Sequence, residues 1–118
     1  VKELYYHIFS QDYIQKHPAH LEKLIKQAST YLPEALIAAN TAIMNRKDKT
    51  HVLASCPYPV LFISGKQDES VPLEYSLQQA TLPNVAVFHL YQQSRHMSIF
   101  ECKKQAHLAI LNYLEMVI

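Results

Sequence analysis

The period of apolar positions changes partway along the chain, near Thr50. Before that point it is helical. Leu21, Leu24, Ile25 and Ala28 fall at i, i+3, i+4 and i+7, one face of a 3.6-residue repeat, and Glu22 and Lys26 stand four apart on the polar side. Pro18 suits the first turn of that helix. The His17-Pro18 step ends a shorter helix over Gln11 to Lys16, which Ser10 is placed to cap. Pro33 opens a third helix with Leu32, Leu36, Ala39 and Ile43 along one stripe, ended by the polar run Asn45-Arg46-Lys47-Asp48-Lys49.

After Thr50 strands and helices alternate. Val60-Leu61-Phe62-Ile63 is a continuous apolar run between Pro59 and Gly65, the pattern of a strand covered on both faces. Leu73, Leu77 and Ala80 give a helical stripe closed by Pro83-Asn84. Val85 to Tyr91 reads as a second strand, followed by the polar turn Gln92-Gln93-Ser94. A last helix is expected from Ile99 to Met116, with Ser98 and Glu101 as its capping box and Ala106, Ile110, Tyr113 and Val117 along one flank. The spacing between the two strands leaves room for one crossover helix, so they should be parallel and joined right-handedly. The reading is an α/β fold: a helical segment over residues 1–49, then a βαβα unit over residues 50–118.

Composition narrows the chemistry. The chain has 118 residues, about one domain. Its 49% hydrophobic content and 18% charged content are those of a folded globular protein. Eleven Lys+Arg against ten Asp+Glu leave a net charge of +1, which gives no basic footprint for nucleic acid or a membrane surface. No apolar run reaches the roughly 18 residues of a membrane span, and no signal-peptide pattern opens the chain. Two cysteines, Cys56 and Cys102, are too few for a disulfide scaffold, so a cytoplasmic setting is expected. Gly65 is the one glycine, which removes every motif needing two or more: the dinucleotide fingerprint, the P-loop and the G-x-S-x-G elbow.

Parallel strands open their carboxyl ends on one edge, where open α/β sheets place ligands. Asp68 follows the first strand in the loop Gly65-Lys66-Gln67-Asp68-Glu69-Ser70-Val71-Pro72. His96 follows the second in Ser94-Arg95-His96-Met97-Ser98. An acid and a histidine so placed can pair, the carboxylate fixing one ring nitrogen and leaving the other to take a proton. Other readings of these residues stay open. Asp68 is also a plausible turn aspartate, Glu69 competes as the acid, and His96 could serve only at a helix entry. His17 and His20 could share a metal, although no third ligand is near in sequence. His89 reads as a core histidine with its bonds satisfied. Cys102, in the first turn of the last helix, would have a thiol pKa lowered by the helix dipole and could pair with His96. Tyr5, Tyr6, Phe9 and Tyr13 cluster as packing or pocket residues.

The segment Pro59 to Pro72 resembles the acid-bearing strand and turn of α/β-hydrolases, and Ser94-Arg95-His96-Met97-Ser98-Ile99-Phe100-Glu101 is similar to their histidine loop. The two motifs occur in the family's order, 28 positions apart. The resemblance covers residues 50–118, and residues 1–49 are similar in character to the family's helical lid. It implies Asp68 as triad acid and His96 as general base, acting on a small apolar ester or related acyl substrate without cofactor or metal. It also implies a nucleophile and oxyanion-hole amides upstream of Val1, so the 118 residues alone are expected to be inactive. Arg95 departs from the glycine usual before the histidine. The chain opens on Val1 rather than Met, so either an upstream piece was removed or a fragment of a longer protein is expected. An unpaired strand edge, or swapped lid helices, should then promote self-association. The alternative is a non-catalytic module that binds a protein partner with the same half-fold.

Overall fold

A computed structural model describes residues 1–118. Eight helices and two strands follow in the order α1 (Lys2–Ile8), α2 (Gln11–Lys16), α3 (Pro18–Ala28), α4 (Pro33–Met44), α5 (Thr50–Ala54), β1 (Val60–Gly65), α6 (Leu73–Ala80), β2 (Ala86–Tyr91), α7 (Ser98–Glu101) and α8 (Lys103–Val117). The chain is mixed α/β. No helix is long and apolar enough to cross a membrane.

The sheet has two parallel strands, in register from Val60 opposite Ala86 to Gly65 opposite Tyr91. Phe62 and Phe88 face each other in that register and stack with centroids 5.9 Å apart. Such a cross-strand aromatic pair supports the alignment. The Tyr113 hydroxyl donates to the Pro59 carbonyl at 2.7 Å and ties α8 to the start of β1. Because both strands stop level with each other, the acid loop and the histidine loop leave from the same rim. The continuous apolar run of β1 had suggested full cover on both faces. Val60 to Ser64 are instead half-buried, and β1 pairs with β2 alone, leaving its other edge open.

Local signals explain three of the eight helices. Ser10 Oγ accepts the Tyr13 amide and caps α2, as its sequence position predicts. Pro18 and Pro33 stand in the first turns of α3 and α4. The α3 stripe packs inward: Leu21 and Ala28 are buried, Leu24 and Ile25 half-buried. The α4 stripe does not. Leu32, Leu36, Ala39 and Ile43 are all exposed, as is every residue from Ser29 to Val52.

The apolar core is small: Phe9, Leu21, Ala28, Ala106 and Ala109. The accessible surface is 8825 Å², whereas a compact monomer of this length exposes about 6,600 Å². The radius of gyration of 16.2 Å likewise exceeds the value of about 13.5 Å for a compact chain. Both numbers describe a loosely packed chain, whose large apolar residues stay exposed along α4 and also on α6 and α8.

The last helix differs most from its sequence pattern. It breaks at Cys102, whose φ of −117° and ψ of 44° are not helical, so α7 and α8 are separate. The capping box does not form, because Met97 rather than Ser98 is the N-terminal cap of α7 and Glu101 is drawn elsewhere.

Candidate active site

Asp68 and His96 meet at the carboxyl rim of the sheet. His96 Nδ1 lies 2.9 Å from Asp68 Oδ2. A carboxylate only accepts, so this bond places the ring proton on Nδ1 and leaves the Nε2 lone pair free. The second carboxylate oxygen, Oδ1, accepts the amides of Ser70 at 2.8 Å and Val71 at 2.9 Å. Asp68 is thus both turn aspartate and histidine partner. The turn bonds fix the carboxylate, and the fixed carboxylate orients the ring. The Asp68 side chain is 10% exposed and that of His96 40%, so the acid is shielded while the imidazole keeps an open side. A partly exposed pair of this kind adds at most about 1 kcal/mol to stability. Its value lies in orientation.

Two backbone bonds bring the loops together. The Lys66 amide donates to the Tyr91 carbonyl at 2.9 Å, and the Gln67 amide to the Ser94 carbonyl at 3.0 Å. Gly65 makes this approach possible. A Cβ there would stand 2.7 Å from the Ser94 carbonyl carbon and closer still to the carbonyl oxygens of Ser94 and Arg95. Its φ is not positive, so space rather than backbone conformation requires the glycine.

The histidine loop is also held from below and from the N-terminal segment. Ser94 and Ser98 are buried, their hydroxyls 2.8 Å apart. Glu101 Oε1 accepts the Arg95 amide at 3.0 Å and the Ser94 hydroxyl at 3.4 Å, while Oε2 accepts the Ser10 amide at 3.1 Å. The His96 amide donates to the Ile8 carbonyl at 3.1 Å. The Arg95 guanidinium donates to the His7 carbonyl at 3.0 Å and lies 3.6 Å from Glu69. The guanidinium is thus turned to a carbonyl and a carboxylate.

The remaining candidates fall elsewhere. Glu69, the competing acid, faces Arg95 and His7, the latter at 3.8 Å, and makes no bond to His96. His20 Nδ1 lies 2.9 Å from the Tyr13 hydroxyl and its ring packs with Phe9 and Phe100, while His17 lies tilted against the Tyr13 ring. Burial and the nearby Glu101 carboxylate push the Tyr13 hydroxyl pKa up. His89 is half-buried and stacks on Tyr91 without a side-chain hydrogen bond, so it is not the satisfied core residue expected.

For Cys102 the expected sign is reversed. Burial raises its thiol pKa, and Glu101 raises it further. Cys102 caps the start of α8, and there burial and the neighbouring carboxylate outweigh the helix dipole. A thiol kept protonated is a poor nucleophile, and it makes no hydrogen bond to His96.

The sequence pointed to the pairing of Asp68 with His96 but not to Glu101 as the support of the histidine loop. Its carboxylate reads as a local cap in sequence, while the partner that displaces that role, Ser10, is 91 positions away. The one available signal was a glutamate five residues after the histidine. No protein-family model and no curated protein matches this chain.

Proposed function

We propose that these residues form the carboxyl-terminal part of a serine-type α/β-hydrolase acting on a small apolar ester or related acyl substrate. The observation that carries the reading is the 2.9 Å bond from His96 Nδ1 to Asp68 Oδ2 at the common end of two parallel strands, with Nε2 left open. In this reading Nε2 takes the proton of a serine hydroxyl as the serine attacks the acyl carbon. Asp68 holds the tautomer and stabilises the imidazolium that forms. The imidazolium then returns the proton to the leaving alkoxide, and water repeats the sequence to release the acid. The serine and the oxyanion-hole amides would come from outside the 118 residues, and this segment alone would not turn over an ester.

The test is hydrolysis of p-nitrophenyl esters by the product of the complete coding sequence. His96→Ala should lower kcat by about a thousandfold or more, since the hydroxyl then has no base. Equal turnover in the mutant would remove His96 from the mechanism. Absence of ester turnover in the wild type would favour the partner-binding module.

A further inference from the structure

The strands and the Asp68–His96 pair are not the whole support of the histidine. Three hydrogen bonds join the end of α1 and the α1–α2 turn to the histidine loop and α7, and Glu69 bridges the same two regions. The carbonyls of His7 and Ile8 receive the Arg95 side chain and the His96 amide, Glu69 faces both His7 and Arg95, and the Ser10 amide reaches Glu101. The turn is itself well fixed: Phe9 is fully buried, stacks on Tyr13 and packs near Phe100, and Ser10 is 5% exposed. Glu101 is the joint. One of its oxygens holds the residue before the histidine, and the other holds the N-terminal segment.

We propose that Glu101 is a positioning residue that makes the placement of His96 depend on the docking of the α1–α2 turn. Removing the turn from the loop would strip the His96 amide of its acceptor and leave the Glu101 carboxylate with only the Arg95 amide and the Ser94 hydroxyl. The ring would then lose its fixed approach to Asp68. This juncture makes residues 1–28 part of the histidine's support, so movement of this segment would be felt at the base. The catalytic meaning of the coupling rests on the hydrolase reading; the coupling itself rests on the bonds.

Ser10→Pro breaks the bond from the Ser10 amide to Glu101, the ring Cδ taking the place of the N–H and pushing the Glu101 carboxylate aside. The Ser10 φ of −68° and the extended backbone of Phe9 before it both suit proline. Ser10→Pro removes the N–H given to Glu101 together with the hydroxyl cap of α2. Ser10→Ala removes the cap alone. Residue-resolved amide exchange on the 118-residue chain should show the Arg95 and His96 amides exchanging about tenfold faster in Ser10→Pro than in Ser10→Ala. The β1 and β2 amides should change equally in the two. The far-downfield His96 Nδ1 proton resonance should weaken in step. Glu101→Ala should reproduce the loss, and Glu101→Gln, which keeps an acceptor oxygen, should restore part of it.

Identical loop exchange in Ser10→Pro and Ser10→Ala would overturn the coupling. So would a change spread evenly over strands and loop, which would mark Glu101 as merely structural. Asp68→Asn separates the two claims: it should abolish the downfield His96 resonance and leave the Ser10 and Arg95 amides protected. A wild-type chain without that resonance counts against the acid–histidine pair, and the exchange data would still decide the coupling.

Discussion

The histidine loop and the stretch from Ser29 to Val52 are similarly rich in chemical potential on paper and opposite in structure. Around the loop, buried Ser94, Ser98 and Phe9 are tied by side-chain and backbone bonds that span up to 91 positions of sequence. Along Ser29–Val52 every residue is exposed, and Leu32, Ile37, Ile43 and Met44 are each more than 60% open to solvent. Both regions carry regular helices. An amphipathic stripe makes a helix possible, but only a partner surface decides whether the stripe is buried. The loop has its partners within the chain. The α4 stripe does not.

The largest expected effect tests the buried side of this contrast. Phe9→Ala removes a fully buried ring from the small core and should cost about 3–5 kcal/mol in a urea titration, enough to unfold much of a population this lightly packed. A loss under about 1 kcal/mol would mean that the α1–α2 turn is not held as described.

Gly65→Ala comes next. The added methyl meets backbone carbonyls that cannot swing aside as a side chain would, so the strand end or the histidine loop must shift, at about 2–3 kcal/mol. Two-dimensional NMR should place the resulting shifts at Ser94, Arg95 and His96. An unperturbed loop would show that the two loops do not meet at Gly65.

The smallest effect is expected on α4. Ile37→Ala changes a residue 65% exposed and should move stability by less than about 0.5 kcal/mol in the isolated chain. A larger cost would reveal a covering surface, and sedimentation would identify self-association as its source. The open edge of β1 predicts the same concentration dependence.

This contrast also explains what the sequence disclosed. Period and turn chemistry were sufficient for Ser10, Pro18, Pro33 and the two strands, because each depends on neighbours within a few residues. Asp68 and His96 were legible for a topological reason: parallel strands bring their following loops to one rim. The Cys102 break, the displacement of Glu101 from its local cap and the exposure of α4 depend on tertiary partners, or their absence, and leave no periodic trace. Helix α1 spans only seven residues, Lys2–Ile8, two turns that are too short to establish a period.

The central claim is that Asp68 directs His96 as a base. It is tested most directly by Asp68→Asn in the product of the complete coding sequence, measured as steady-state ester hydrolysis beside Glu69→Gln. The amide keeps the size of the acid but can offer an N–H to Nδ1 and so select the wrong tautomer. The account predicts a fall in kcat of about a thousand- to ten-thousandfold for Asp68→Asn with KM little changed, and less than about tenfold for Glu69→Gln. Full activity in Asp68→Asn, or the large loss in Glu69→Gln instead, would contradict it.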